Sequence, residues 1–126
     1  MPYIIKNEAT GFALDSNTDM QVYTGNPNGG AFQKWILQDA GNGFYLIQDE
    51  GTSFVLDSNA DKQVYTGNSN GGAFQHWQLQ DAGNGFWVIQ DEATGFVLDS
   101  NADKQAYTGS PNGGAFQRWQ FVGTGF

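Results

Sequence analysis

The chain has no cysteine, and only five of its 126 residues are basic against 13 acidic, for a net charge of −8. Without cysteine there is neither a disulfide framework nor a thiolate metal site. A reducing compartment is therefore permitted but not required. The basic residues Lys6, Lys34, Lys62, Lys104 and Arg118 are scattered along the chain. A surface for nucleic acid or anionic lipid needs clustered cations that release counterions, so neither partner is expected. The acid excess reads as a solubility feature. A single histidine, His76, leaves no cluster for zinc. No cysteine nucleophile exists, and no serine can be paired with a positioned base. The longest apolar runs are a few residues, too short to span a membrane. The start, Met1-Pro2-Tyr3-Ile4-Ile5-Lys6, lacks the charged region and apolar stretch of a signal peptide. The chain reads as soluble, extracellular or cytoplasmic, with its oligomeric state left open. Sustained helical periodicity is absent as well.

What the chain does have is a repeat. Asp15, Asp57 and Asp99 are 42 residues apart, and so are Tyr23, Tyr65 and Tyr107. Asn28, Asn70 and Asn112 keep the step, as do the Gln-x-Trp triplets at Gln33, Gln75 and Gln117. Residues 43–78 and 85–120 match at 28 of 36 positions. Three units, 1–42, 43–84 and 85–126, fill one domain over 1–126, and self-similarity at this period marks a repeat architecture.

Each unit reads as four short strands. In repeat one they are Tyr3–Lys6, Phe12–Asp15, Gln21–Thr24 and Phe32–Gln38, rich in aromatic and β-branched residues. The intervening turns are built on Ala9-Thr10-Gly11, Ser16-Asn17 and Asn28-Gly29-Gly30, and Asp39 to Gly43 links one unit to the next. Four strands per unit also describes a propeller blade, but propellers typically use four or more blades. Three such units predict an all-β fold, a β-trefoil with pseudo-threefold symmetry. Period-2 alternation turns Phe12 and Leu14 inward and puts Trp35, Leu37 and Gln33 on one face. It places Val22, Val64 and Ala106 in the core, which turns the tyrosines outward although a strand tyrosine is more often buried.

Aspartate, tyrosine and Asn-Gly-Gly together suit a polyol with one apolar face, which describes a pyranose. A carboxylate accepts from adjacent hydroxyls, and an amide both donates and accepts. A tyrosine offers an apolar ring with a hydroxyl at its tip. Two glycines let backbone approach a ligand. Each residue alone also has a bland reading, Asp as turn former and Asn-Gly-Gly as loop. The joint pattern, kept three times beside loops that vary (Gly25-Asn26-Pro27, Gly67-Asn68-Ser69, Gly109-Ser110-Pro111), argues for a site. Duplication that copies everything is the competing cause. A shallow site of this kind binds weakly, about −4 kcal/mol at a millimolar constant. Three sites on one body compensate through avidity.

Other chemistries fit less well. Asp57-x-Asn59-x-Asp61 opens like a calcium loop, but Lys62 and Asn68 stand where Gly and Glu are required. The equivalents of His76 are Lys34 and Arg118, which points its ring to solvent. The acid pairs Asp49-Glu50 and Asp91-Glu92 raise a glycosidase, but adjacent strand residues point apart, and repeat one has Asn7. Two carboxyls would have to face one bond. No enzyme, metal or cofactor is expected.

Gln33-Lys34-Trp35, Gln75-His76-Trp77 and Gln117-Arg118-Trp119 resemble the signature of ricin-B-type (Gln-x-Trp)3 β-trefoil lectins. The longer run from Leu-Asp-Ser-Asn through Val-Tyr-Thr to Asn-Gly-Gly-x-Phe-Gln-x-Trp is similar to three-site members that bind mannose at the arms of high-mannose glycans. The resemblance covers essentially the whole chain. It implies that Gln and Trp are core and turn elements, and that the sugar sites are Asp15/Tyr23/Asn28, Asp57/Tyr65/Asn70 and Asp99/Tyr107/Asn112. The expected partners are glycans or glycoproteins of the mannose type. Two departures stand out. Gly25, Gly67 and Gly109 replace a leucine, and Phe32, Phe74 and Phe116 replace a tyrosine. Galactose or N-acetylgalactosamine is the alternative sugar, and a structural or protein-binding trefoil the alternative class.

Overall fold

A computed structural model describes residues 2–124. Met1, Gly125 and Phe126, which begin the first and end the third expected repeat, lie outside the described residues. Among the described residues there are twelve strands: β1 (Tyr3–Asn7), β2 (Ala13–Ser16), β3 (Val22–Gly25), β4 (Trp35–Gly41), β5 (Phe44–Asp49), β6 (Val55–Ser58), β7 (Val64–Gly67), β8 (Trp77–Gly83), β9 (Phe86–Asp91), β10 (Val97–Ser100), β11 (Ala106–Gly109) and β12 (Trp119–Gly123). Antiparallel ladders join β4 to β5, β8 to β9 and β12 to β1. The contacts Tyr3↔Trp35, Tyr45↔Trp77 and Trp87↔Trp119 close these six strands into a barrel. The other six form the hairpins β2–β3, β6–β7 and β10–β11. Bridges Gln21↔Tyr65, Gln63↔Tyr107 and Tyr23↔Gln105 lock the three hairpins together at one end of the barrel. This is the β-trefoil.

The core is drawn equally from the three repeats, because each supplies the same inward positions. Trp35, Trp77 and Trp119 are fully buried, with Ile5, Ile47, Ile89, Leu14, Leu56 and Leu98 packed among them. Each indole Nε1 donates to a backbone carbonyl inside the barrel, of Leu14, Leu56 or Leu98. A buried Trp requires such a partner for its N–H. No helix among the described residues is long and apolar enough to cross a membrane.

Three expectations need correction. The fourth strand of each unit starts at the tryptophan, not at the phenylalanine before it. Ala31–Gln33, Ala73–Gln75 and Ala115–Gln117 are short 3₁₀ turns, closed by bonds such as Gln33 N to Gly30 O. The strand bounds shift there, while Gln33 is buried with Trp35 as alternation expected and Phe32, Phe74 and Phe116 stand 37–39% exposed. Second, the stretch taken to link units is part of a continuous hairpin. Asn42 and Gly43 both have positive φ (56° and 85°), as do Asn84 and Gly85, the left-handed pair that a two-residue hairpin turn demands. Third, Phe12 is only half-buried, with the Lys104 ammonium 5.3 Å above its ring, and Ala106 is likewise partly exposed.

Candidate functional site

Asp15 and Tyr23 sit directly opposite each other on hairpin β2–β3, as do Asp57 and Tyr65 on β6–β7 and Asp99 and Tyr107 on β10–β11. Directly paired residues share a face with their Cβ atoms within about 5.5 Å. The tyrosines do turn away from Val22 and Val64, which are buried. Each ring is half-buried, and each hydroxyl donates back to its own hairpin, Tyr23 to Ser16 O at 3.0 Å and Tyr65 to Ser58 O at 2.9 Å. Burial first, and the nearby Asp15 carboxylate second, push the Tyr23 hydroxyl above its ordinary value. Tyr65 and Tyr107 behave likewise beside Asp57 and Asp99. These phenols stay neutral around pH 7.

The third residue arrives through a connection that sequence reasoning did not assign. Gln33 is 1% exposed and its amide makes three bonds. Its Nε2 donates to Asp15 Oδ2 (2.9 Å) and to Asn26 O (3.0 Å), while its Oε1 accepts from Asn28 N (2.9 Å). Gln75 ties Asp57, Asn68 and Asn70 in the same way, and Gln117 ties Asp99, Ser110 and Asn112. Only the carbonyl of the loop residue is used, so Asn26, Asn68 and Ser110 can differ without cost to the clamp. The glutamine of each Gln-x-Trp is thus a buried bracket joining the aspartate to the asparagine loop. Its triplication beside a variable loop residue was the available signal.

Within that loop the two glycines have different jobs. Gly29, Gly71 and Gly113 have φ of 71–74°, a left-handed backbone that glycine adopts without steric cost. Gly30, Gly72 and Gly114 make room instead, because a Cβ on any of them would stand 3.0 Å from the neighbouring Asn Oδ1. That oxygen accepts from the same glycine's N–H at 2.8 Å. Asn28, Asn70 and Asn112 are exposed, with their amide N–H groups facing solvent rather than any described partner.

The aspartates are half-buried, and each oxygen accepts one bond, Oδ1 from the following serine N–H and Oδ2 from the glutamine. A carboxylate has about four acceptor positions, so about two remain for a ligand. The arrangement offers a fixed carboxylate, an adjacent tyrosine ring and an exposed amide, three times over. It can receive a pair of hydroxyls. At Asp49-Glu50 the first side chain is fully buried and the second exposed.

Asp49 forms a layer behind the first site. Ser16 Oγ donates to Asp49 Oδ2 at 2.7 Å, and Gly51 and Thr52 donate their backbone N–H groups. Burial nonetheless outweighs these bonds and pushes the Asp49 carboxyl up to about 6. Burial raises Asp91, behind the second site, as well. Behind the third site Asn7 takes this place, its Nδ2 donating to Phe116 O. A carboxyl raised in the fold favours the protonated native state. Its stabilising effect is complete below the unfolded value near 4 and lost as pH rises to about 6. Asp49→Asn is therefore expected to stabilise the protein by about 1–3 kcal/mol at pH 7 and by little at pH 4. Urea titrations of both proteins across that range check it. A variant equally or less stable at pH 7 overturns the expectation.

A cavity of about 510 Å³ opens on the pseudo-threefold axis, where β3, β7 and β11 meet over Val22, Val64 and Ala106, and the site residues Tyr23, Tyr65 and Tyr107 are part of its lining. It is separate from the Gln-bracketed loops. His76 is also apart from the sites. It is partly exposed, its ring stacks on Phe44 at 6.4 Å and its Nδ1 lies 2.8 Å from Glu92 Oε1.

No protein-family model and no curated protein sequence matches the chain. Solved structures do. The designed threefold-symmetric protein ThreeFoil is 26% identical, with 97% of this chain and 98% of that one covered and a TM-score of 0.90. The exo-β-1,3-galactanase 1,3Gal43A from Clostridium thermocellum is 27% identical with a TM-score of 0.88, but the match takes in 96% of this chain and only 30% of the enzyme. SeviL, solved bound to asialo-GM1 saccharide, is 18% identical over 98% of this chain and 97% of its own, with a TM-score of 0.84.

Proposed function

We propose that the chain is a non-enzymatic carbohydrate-binding protein with three equivalent sites, Asp15/Tyr23/Asn28, Asp57/Tyr65/Asn70 and Asp99/Tyr107/Asn112. The observation that carries this reading is the buried glutamine bracket. A turn aspartate and a loop asparagine have no mutual need for one another, yet Gln33, Gln75 and Gln117 each hold such a pair at fixed separation. The bracket leaves the outward acceptors of the aspartate and the exposed amide of the asparagine for a ligand. Mannose-terminated glycans are the leading ligand, on the resemblance to the mannose lectin actinohivin. Galactose-type glycans are the second reading. It is favoured by the glycines at 25, 67 and 109, where the mannose lectins have leucine, and by the galactanase among the structural neighbours.

Titration calorimetry with α1,2-mannobiose and with lactose tests the proposal. Binding of mannobiose at about three sites per chain is expected. Heat with lactose alone transfers the specificity to galactose. A broad glycan array without a single hit removes the carbohydrate reading and leaves a structural or protein-binding trefoil.

A further inference from the structure

The layer behind the sites differs between repeats at one atom. Asp49 Oδ1 accepts the backbone N–H groups of Gly51 and Thr52, and Asp91 Oδ1 those of Ala93 and Thr94. Asn7 Oδ1 accepts from Ala9 N in the same turn. An amide therefore closes this turn as a carboxylate does. The difference lies at the other terminal atom. Asp49 Oδ2 accepts from Ser16 Oγ at 2.7 Å, and Asp91 Oδ2 from Ser58 Oγ at 2.8 Å. Asn7 Nδ2 instead donates to Phe116 O at 2.8 Å, and Ser100 Oγ is left with that same carbonyl at 3.5 Å. Burying a charge costs more than burying a bonded amide, so the turn alone gives no reason for an acid in two repeats.

Ser16 supplies a reason. Its N–H donates to Asp15 Oδ1 at 2.9 Å, its carbonyl accepts the Tyr23 hydroxyl at 3.0 Å, and its Oγ donates to Asp49. Ser58 joins Asp57, Tyr65 and Asp91 in the same way. One serine thus connects two site residues to a buried acid. We propose that Asp49 and Asp91 are positioning residues that make the first two sites respond to pH, through Ser16 and Ser58, while Asn7 leaves the third indifferent. This rests on the carbohydrate reading above.

With Asp49 ionised, the Ser16 hydroxyl is held by a charge-assisted bond, stronger than a neutral one. A proton taken up from solvent at Asp49 removes that charge, and the hydroxyl turns toward Phe32 O, 3.3 Å away. The anchor of Asp15 and Tyr23 loosens. Electrostatics gives the same sign. The Asp15 carboxylate is one of the causes, after burial, that raise Asp49 to about 6. A sugar hydroxyl donating to Asp15 disperses that charge and eases the ionisation of Asp49, so by linkage ionised Asp49 favours binding. Affinity is full above the folded value and falls as pH drops through it. Besides Asp15 on β2, Asp49 has the neutral Tyr23 on β3 beside it, and next in the chain Glu50, whose N–H bonds Lys34 O at 2.8 Å. The corresponding groups at the second site are Asp57, Tyr65, Glu92 and His76, with His76 Nδ1 against Glu92 Oε1. Histidine is itself a pH-responsive side chain, so the first site gives the cleaner test.

The test compares Asp57→Ala/Asp99→Ala, which keeps the first site, with Asp15→Ala/Asp57→Ala, which keeps the third. Melting curves verify the fold at each pH, and calorimetry is run with α1,2-mannobiose and with lactose. With whichever sugar binds, the first site is expected to weaken by about three- to tenfold from pH 8 to pH 5, and the third by less than about twofold. Adding Asp49→Asn should flatten the first profile at its low-pH level, and adding Asn7→Asp should give the third site a slope of its own. Where an alanine variant fails to fold, the unmodified three-site protein is compared with Asp49→Asn/Asp91→Asn, whose affinity should change less with pH. Parallel profiles for the first and third sites overturn the proposal, as does a first site that binds more tightly at low pH. A slope that survives Asp49→Asn, or that Asn7→Asp does not create, overturns it too. All these outcomes leave sugar binding standing. If the unmodified protein binds neither sugar at any pH in the range, the carbohydrate reading itself falls and this inference with it.

Discussion

Replacing Trp77 with alanine is expected to destabilise the protein by about 3–5 kcal/mol. The indole is fully buried in the barrel, packed with the Ile and Leu residues that each repeat contributes. Its removal deletes a large apolar contact area and leaves a cavity that the surrounding strands can only partly close. It also strips the Leu56 carbonyl of the N–H that bonds it at 3.1 Å. Against a total stability of about 5–15 kcal/mol for a domain, this loss is a large fraction. Trp77→Phe keeps most of the apolar volume and loses the N–H, so it should cost clearly less. Trp35 and Trp119 occupy the same place in their repeats and should behave alike. Urea unfolding followed by far-ultraviolet circular dichroism measures all of these without relying on the fluorophore being removed. A loss under about 1 kcal/mol for Trp77→Ala would mean that the core tolerates the gap and that the tryptophan belongs to the triplet for another reason.

The 42-residue step made the fold legible because a threefold barrel needs the same inward residues at the same places, and repetition exposes them. The outward tyrosine was legible for a related reason, since the small apolar residue before it could take the inward position. The glutamine was harder. A polar residue between an exposed phenylalanine and a buried tryptophan looks like part of an alternating strand. Alternation did put Gln33 on the face of Trp35, and both are buried, but only the 3₁₀ turn brings its amide to Asp15 and to the backbone of Asn28. Alternation presumes an extended backbone, so it gives the face of a turn residue but not the contacts that the turn creates. The asparagine–glycine hairpins at Asn42-Gly43 and Asn84-Gly85 were misread because a boundary between repeats was assumed to be a boundary between structures. In this fold the longest ladders cross those boundaries. The difference between Asn7 and the buried Asp49 and Asp91 was visible as a substitution, but its meaning depends on burial and on Ser16 and Ser58 behind the sites, which spacing alone does not reveal.

Asp15→Ala combined with Asp57→Ala is expected to lower binding to a dense glycan surface by roughly 10²–10⁴, while leaving the intrinsic affinity of the third site unchanged. One such site alone binds weakly. A shallow pocket that takes two or three hydroxyls gives a constant near millimolar, about −4 kcal/mol. If the three proposed sites all bind, their arrangement about a pseudo-threefold axis converts the second and third binding events into intramolecular ones, and no new contact is needed for the gain. Removing two of them therefore removes nearly all of it. Each aspartate also has a structural duty, because Asp57 Oδ1 accepts Ser58 N and Oδ2 accepts Gln75 Nε2. Loss of the first bond leaves an N–H of a buried serine without that acceptor, at a cost of about 1–3 kcal/mol per site. A lower melting temperature is therefore expected alongside the loss of avidity and does not by itself explain it. The pair Asn28→Ala/Asn70→Ala separates the two effects. Those side chains are exposed and their carbonyl oxygens serve only a local turn, so the fold should hardly change, while two sites lose their amide. Surface-bound glycan titrations of both double variants, beside calorimetry of the remaining site, decide the matter. If avidity survives in both variants, the aspartates and asparagines are turn formers copied by duplication and the sugar site lies elsewhere. If it collapses in both while calorimetry still finds one intact site per chain, three weak sites acting together account for binding.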